Sequence, residues 1–121
     1  MSDKKVLEIK NLKVYYESGG QYLFFKNKKK IKAVDGGDIS INSGETFGLV
    51  GESGSGKSTL AKAILNLVKP QSGVINIDND NILSLRGSSL RKKQRDIGAI
   101  FQDPYSSLNP RMKVRDIIAE P

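Results

Sequence analysis

Gly51-Glu52-Ser53-Gly54-Ser55-Gly56-Lys57-Ser58-Thr59 fits the spacing G-x-x-x-x-G-K-[ST], a loop that cradles phosphate. Its glycines free the backbone to turn its N–H groups inward as an anion-binding nest. Lys57 supplies a point charge for the β- and γ-phosphates. The Ser58 hydroxyl is a hard oxygen ligand suited to one position around Mg²⁺. Thr46-Phe47-Gly48-Leu49-Val50 before the loop reads as a buried strand. Leu60, Ala61, Ile64, Leu65, Leu67 and Val68 after it recur at helical spacing. Strand, glycine loop and helix is the order such a site needs, and the helix N-terminus adds a positive end. A glycine-rich connection in an unrelated α/β unit is the competing reading.

Outward from the loop, the N-terminal side is antiparallel in character. Val6 to Leu12 alternates, with Leu7 and Ile9 set against Glu8 and Lys10, as in a half-buried strand. Gly19-Gly20 predicts a turn, and residues 21–32 an irregular basic insertion. Asp38 to Asn42 alternates again, and Ser43-Gly44 turns into the 46–50 run. On the C-terminal side, Pro70-Gln71-Ser72-Gly73 is expected to stop the helix. Val74 to Asp78 reads as a strand, and Asp78-Asn79-Asp80-Asn81 as a solvated turn without the glycine and glutamate of a Ca²⁺ loop. Ser88 to Arg95 predicts a basic helix with a serine cap. Ile97 to Phe101 reads as a second buried parallel strand. A polar loop, 102–110, and a helix over 112–120 follow.

Composition bounds the rest. The chain has 121 residues, room for one small domain. It has no cysteine and no histidine, which excludes disulfides, thiolate metal sites and the commonest general base. No apolar run reaches membrane-spanning length, and Met1 to Lys5 lacks an apolar signal region. Net charge is +7, but Lys26, Lys28, Lys29, Lys30 and Lys32 carry five of those charges. Global basicity is therefore a poor argument for nucleic acid, and the lysines are expected to form a solvated segment with at most a secondary attraction to anionic headgroups.

A glutamine ending a strand some forty-five residues after Lys57 resembles the Q-loop of ABC-transporter ATPases. The run Gln102-Asp103-Pro104-Tyr105-Ser106-Ser107-Leu108-Asn109-Pro110-Arg111-Met112 resembles the ATP-binding subunits of oligopeptide and dipeptide importers. Ala33-Val34-Asp35-Gly36, Gly44-Glu45-Thr46, Gly48 to Gly54, Pro70 to Gly73 and Ile117 to Pro121 are similar to the same branch, whose nickel importers share much of the wording. The resemblance implies an α/β P-loop core, incomplete here, with a small antiparallel β subdomain. It implies that Tyr16, rather than Tyr15, stacks on adenine, and that Gly51, Glu52, Ser53, Gly54, Ser55, Gly56, Lys57, Ser58 and Thr59 hold ATP. Lys57 and Gln102 are the implied catalytic groups, Ser58 and Gln102 the Mg²⁺ contacts.

The resemblance further implies permease subunits docked near Gln102, a second ATP-binding subunit, and a place at the cytoplasmic face of the cell membrane. Two departures stand out. Gly37 replaces an apolar residue, which is expected to weaken the second strand at its start. The family's signature loop, Asp-Glu strand and switch histidine are absent, so residues 1–121 are expected to be the N-terminal part of one nucleotide-binding domain, inactive alone and unstable alone. A P-loop kinase or GTPase and a basic module for nucleic acid or anionic surfaces are the rivals; no Asn-Lys-x-Asp segment for guanine occurs, and no nucleic-acid partner is expected.

Overall fold

The computed structural model describes residues 4–18 and 29–120. Gly19-Gly20, Tyr22, Phe24, Phe25, Lys26 and Lys28 lie outside the described residues. The organising element is β1 (Lys5–Ser18), a 14-residue strand flanked on both edges. On one edge it pairs antiparallel with β4 (Ser72–Ile77), which continues into β5 (Asp80–Asn81). On the other lie β2 (Lys29–Asp35) against its second half and β3 (Ile39–Asn42) against its first. β2 and β3 are thus two lengths of one course, interrupted at Gly36-Gly37-Asp38.

The interruption has a cause in β1. Asn11 has φ 45° and its register with β4 shifts between Lys10 and Lys13, a bulge. The extra residue changes the phase of the pleat, so Leu12 and Val14 join Ile9 in the core although simple alternation would turn them out. Asp38 Oδ1 accepts the Asn11 N–H at 2.7 Å, and Leu12 O accepts the Gly36 N–H at 2.8 Å. Gly73, at φ 105°, crosses the same place; a Cβ there would lie 2.6 Å from Leu12 Cα.

α1 (Lys57–Ile64) lays Leu60, Ala63 and Ile64 on Ile9, Leu12, Val14, Ile75, Ile77 and Ile82. The helix stops earlier than Pro70. Asn66 takes φ 57°, its N–H reaches Ala63 O at 3.0 Å, and the Leu67 N–H reaches Lys62 O at 2.8 Å. This is a Schellman end with asparagine in the left-handed position. β4 and β5 are joined by Asp78-Asn79, both at positive φ, the two-residue turn whose twist suits a hairpin. α2 (Gly87–Arg95) starts after Arg86 with no side-chain cap, so the serine cap is not made. α3 (Val114–Ile118) is a single short turn of helix.

Three further expectations are corrected. Residues 29–32 are strand, not irregular insertion. Thr46–Val50 and Ile97–Phe101 are not strands; Val50 is 91% and Ile100 97% exposed. A parallel strand apolar on both faces needs strands at its edges and helices on both sides. The antiparallel sheet has a partner on both edges of β1 and forms; the described residues hold no strand beside these two runs.

Candidate functional site

The loop enters α1 through Gly56, the N-cap, at φ 94°. Gly54 also has positive φ, 82°. Ser55 N–H turns back to Glu52 O at 3.1 Å, and Leu60 N–H reaches Gly56 O at 2.9 Å to begin the helix. The Lys57 ammonium lies against the loop, donating to Gly51 O at 2.5 Å, Glu52 O at 2.7 Å and Ser55 Oγ at 3.2 Å. Three donors meet three acceptors, which fixes a long flexible side chain at one place. No acidic residue lies in the first turn of α1, so its positive end is not neutralised from within.

β2 forms the opposite wall. The β1–β2 register runs Val14↔Val34 and then Tyr15↔Lys32, so Ala33 is an extra, bulged residue. Its carbonyl abuts the loop: a Cβ on Gly56 would lie 2.1 Å from Ala33 O. Glycine at position 56 is thus required twice, by its dihedral and by this approach. A cavity of about 320 Å³ opens between Ile31-Lys32-Ala33 and Ser53 to Thr59, and a second of about 280 Å³ between Ala33-Val34-Asp35, Val50 and Leu60. Lys57 lines both.

Tyr16 is 40% exposed and lies in register with Ile31, one of the residues lining the larger cavity, but lines neither cavity itself. Tyr15 is engaged elsewhere. Its hydroxyl donates to Asp35 Oδ1, and its backbone N–H and C=O are both bonded by the Gln71 side-chain amide, at 2.6 and 2.8 Å. The Lys32 ammonium reaches Asp35 Oδ2 at 3.1 Å and sits 5.6 Å from the Tyr15 ring centre. The Tyr15 hydroxyl and then Lys32 hold the Asp35 carboxyl below its ordinary value; the same bonds to Asp35 hold Tyr15 and Lys32 above theirs.

Gln102 is exposed and lines neither cavity. The segment after it is a series of local turns: Asp103 Oδ1 accepts the Tyr105 N–H at 3.1 Å, and Asn109 Oδ1 the Arg111 N–H at 3.0 Å. The structure therefore brings Ile31 to Asp35 of β2 together with the phosphate loop, while Tyr16 reaches the site only as the register partner of Ile31 and Gln102 lines neither cavity. No cluster of three metal-ligating side chains occurs among the described residues. Mg²⁺ often binds through one or two protein oxygens plus substrate phosphates, so the exposed Ser58 hydroxyl at the head of α1 fits that mode. Sequence reasoning missed Ile31 and Ala33 as walls of the site. The alternation of Ile31 and Ala33 with Lys30 and Lys32 was the available signal, hidden by the lysine run it sits in.

The sequence pattern of the ABC transporter family matches residues 34–120. The chain is 46% identical over 119 residues to the oligopeptide transport ATP-binding protein OppF of Salmonella typhimurium, covering 98% of this chain and 36% of OppF. It is 45% identical over 119 residues to the dipeptide transport ATP-binding protein DppF of Lactococcus lactis subsp. cremoris, covering 97% and 36%. It is 43% identical over 123 residues to the oligopeptide transport ATP-binding protein AppF of Bacillus subtilis, covering 99% and 36%. The chain spans about a third of the length of the curated relatives it matches.

Proposed function

The chain belongs to the ABC transporter family, and from that premise we propose that it is part of the ATP-binding subunit of an importer for oligopeptides or dipeptides. The names of the relatives favour peptide over nickel as cargo. The observation that carries the reading is the Lys57 ammonium held against the Gly51–Ser55 loop at the head of α1. In this reading the β- and γ-phosphates of ATP take over the Lys57 donors and the N–H groups of the loop. The Ser58 hydroxyl would hold Mg²⁺, which would supply charge neutralisation at the phosphate oxygens. Adenine stacks on Tyr16, with Ile31 and Ala33 walling the path between base and phosphates. A π-face suffices for stacking, so base selectivity is weak.

Phosphoryl transfer to water is catalysed mainly by positioning and charge stabilisation. Residues 1–121 supply the cradle and Lys57. In the assembled protein Gln102 would help hold Mg²⁺ or the attacking water, and its exposed segment would meet the permease subunits. A second ATP-binding subunit completes the site, at the cytoplasmic face of the membrane; no helix among the described residues is long and apolar enough to cross one. Residues 1–121, part of one nucleotide-binding domain, do not hydrolyse ATP on their own, because they contain no Asp-Glu pair at the end of an aliphatic strand to position the attacking water.

The test is Mg-ATP binding to the full-length protein and its Lys57→Ala variant. Loss of one charge-assisted contact weakens affinity about 10–150-fold, the equivalent of roughly 1.5–3 kcal/mol. Wild-type affinity in the variant would reject the site.

A further inference from the structure

Asp35 lies outside the phosphate loop, yet it closes a clasp around the residue on which the loop rests. In a regular strand residues 32 and 35 point to opposite faces, because successive side chains alternate. Here the two are bonded, Lys32 Nζ to Asp35 Oδ2 at 3.1 Å. The bulge at Ala33 makes this possible, since one extra residue brings both onto one face of β2. The Tyr15 hydroxyl, donated from β1, bonds the other carboxylate oxygen. Asp35 thus ties both sides of the bulge to the neighbouring strand. The bulged residue is the one whose carbonyl abuts Gly56, the N-cap of α1, and Lys57 follows directly.

We propose that Asp35 is a positioning residue for nucleotide binding: with Tyr15 and Lys32 it holds the Ala33 bulge, which seats Gly56 and aims Lys57. The proposal rests on Gly51–Thr59 being the nucleotide site. Without the clasp, β2 can relax toward regular pairing, and the Ala33 carbonyl leaves its place against Gly56. The clasp is exposed, and exposed ion pairs add little to stability. Its loss therefore acts on where the loop sits more than on whether the protein is folded.

The experiment measures Mg-ATP affinity and thermal melting of the full-length protein, wild type and Asp35→Ala, Asp35→Asn, Lys32→Ala and Lys57→Ala. Asp35→Ala is expected to bind on the order of tenfold more weakly, as when a positioned contact is misaligned rather than deleted, with its melting temperature little changed. Asp35→Asn keeps an acceptor for the Tyr15 hydroxyl and recovers most of the affinity. Wild-type affinity in Asp35→Ala overturns the proposal. So does a loss matched by a large fall in melting temperature that Asp35→Asn does not restore, since that is a merely structural role. If Asp35→Ala does not fold, Lys32→Ala decides in the same way, weaker binding supporting the clasp and unchanged binding rejecting it. Lys57→Ala separates the two levels. If it too binds like wild type, the nucleotide site itself is wrong; if it alone loses binding, only the role of Asp35 falls.

Discussion

Glycines of the same loop differ in what they do. Gly54 has positive φ, but a Cβ there would meet open space; at Gly56 it would run into the Ala33 carbonyl. Gly54→Ala is therefore expected to cost only dihedral strain, about 1–2 kcal/mol. Gly56→Ala adds a backbone collision that no rotamer relieves and should cost more, with ATP binding lost in step. Thermal melts and ATP titrations of the two variants check the order; equal effects would mean that β2 does not wall the loop. Tyr15 and Asp35 give a pH signature of known sign. Tyr15 keeps its proton better folded than unfolded, so its contribution is full below its ordinary value of 10.0 and is lost as pH rises through the higher folded one. Asp35 keeps its charge better folded, so its contribution is full above 3.8 and is lost as pH falls through the lower folded value. Tyr15→Phe should flatten the alkaline limb of a melting-temperature profile. An unchanged limb would show that this hydroxyl bond does not bear on stability.

The bulges at Asn11 and Ala33 and one tight crossing shape the sheet. Gly73 passes over the Asn11 bulge so closely that a Cβ would meet Leu12 Cα and Asn11 O at 2.6 and 2.7 Å. Gly73→Ala is expected to destabilise by at least about 1–3 kcal/mol, from strain at φ 105° and from prying β4 off β1. Asn79, at φ 70°, sits in a turn that favours glycine, so Asn79→Gly should leave stability unchanged or raise it by a few tenths of a kcal/mol. A fall of the same size as for Gly73→Ala would contradict the hairpin geometry. Lys29 and Lys30 stand exposed at the start of β2, in register with Ser18 and Glu17 and away from both cavities beside Lys57. Replacing Lys28, Lys29 and Lys30 by serine should leave ATP affinity as it was, measured by the same titration.

The molecule as a whole has a small core. Among the described residues Ile9, Leu12, Val14, Ala63, Ile75, Ile77 and Ile82 are the buried hydrophobic side chains, on the sheet, on α1 and, for Ile82, in the turn after β5. Val50, Ile100, Phe101 and Val114 are exposed on the segments outside it. A domain that buries so little has little with which to offset its ordering entropy. Residues 1–121, purified alone, are expected to show weak near-UV dichroism, a broad melt and no phosphate release above background. A sharp cooperative melt with steady ATP turnover would contradict this on both counts.

What the sequence determined by itself was local. A glycine-lysine-serine spacing specifies a loop and the helix after it because the dihedrals, the charge and the hydroxyl act over a few bonds. The alternation at Leu7 and Ile9 and at Ile39 and Ile41 specified strands for the same reason, and the wording around Gln102 pointed to the family. Tertiary structure decided the rest. The bulges at Asn11 and Ala33 change which side chains face the core, and a bulge is settled by the strand opposite, not by the residue that makes it. β2 was unreadable because its lysines are polar, while its pairing with β1 is made by the backbone. Thr46–Val50 and Ile97–Phe101 read as buried strands because apolar runs carry that pattern, but a strand exists only beside a partner. The same run of residues is core or surface according to what lies next to it, and a sequence window holds no such information.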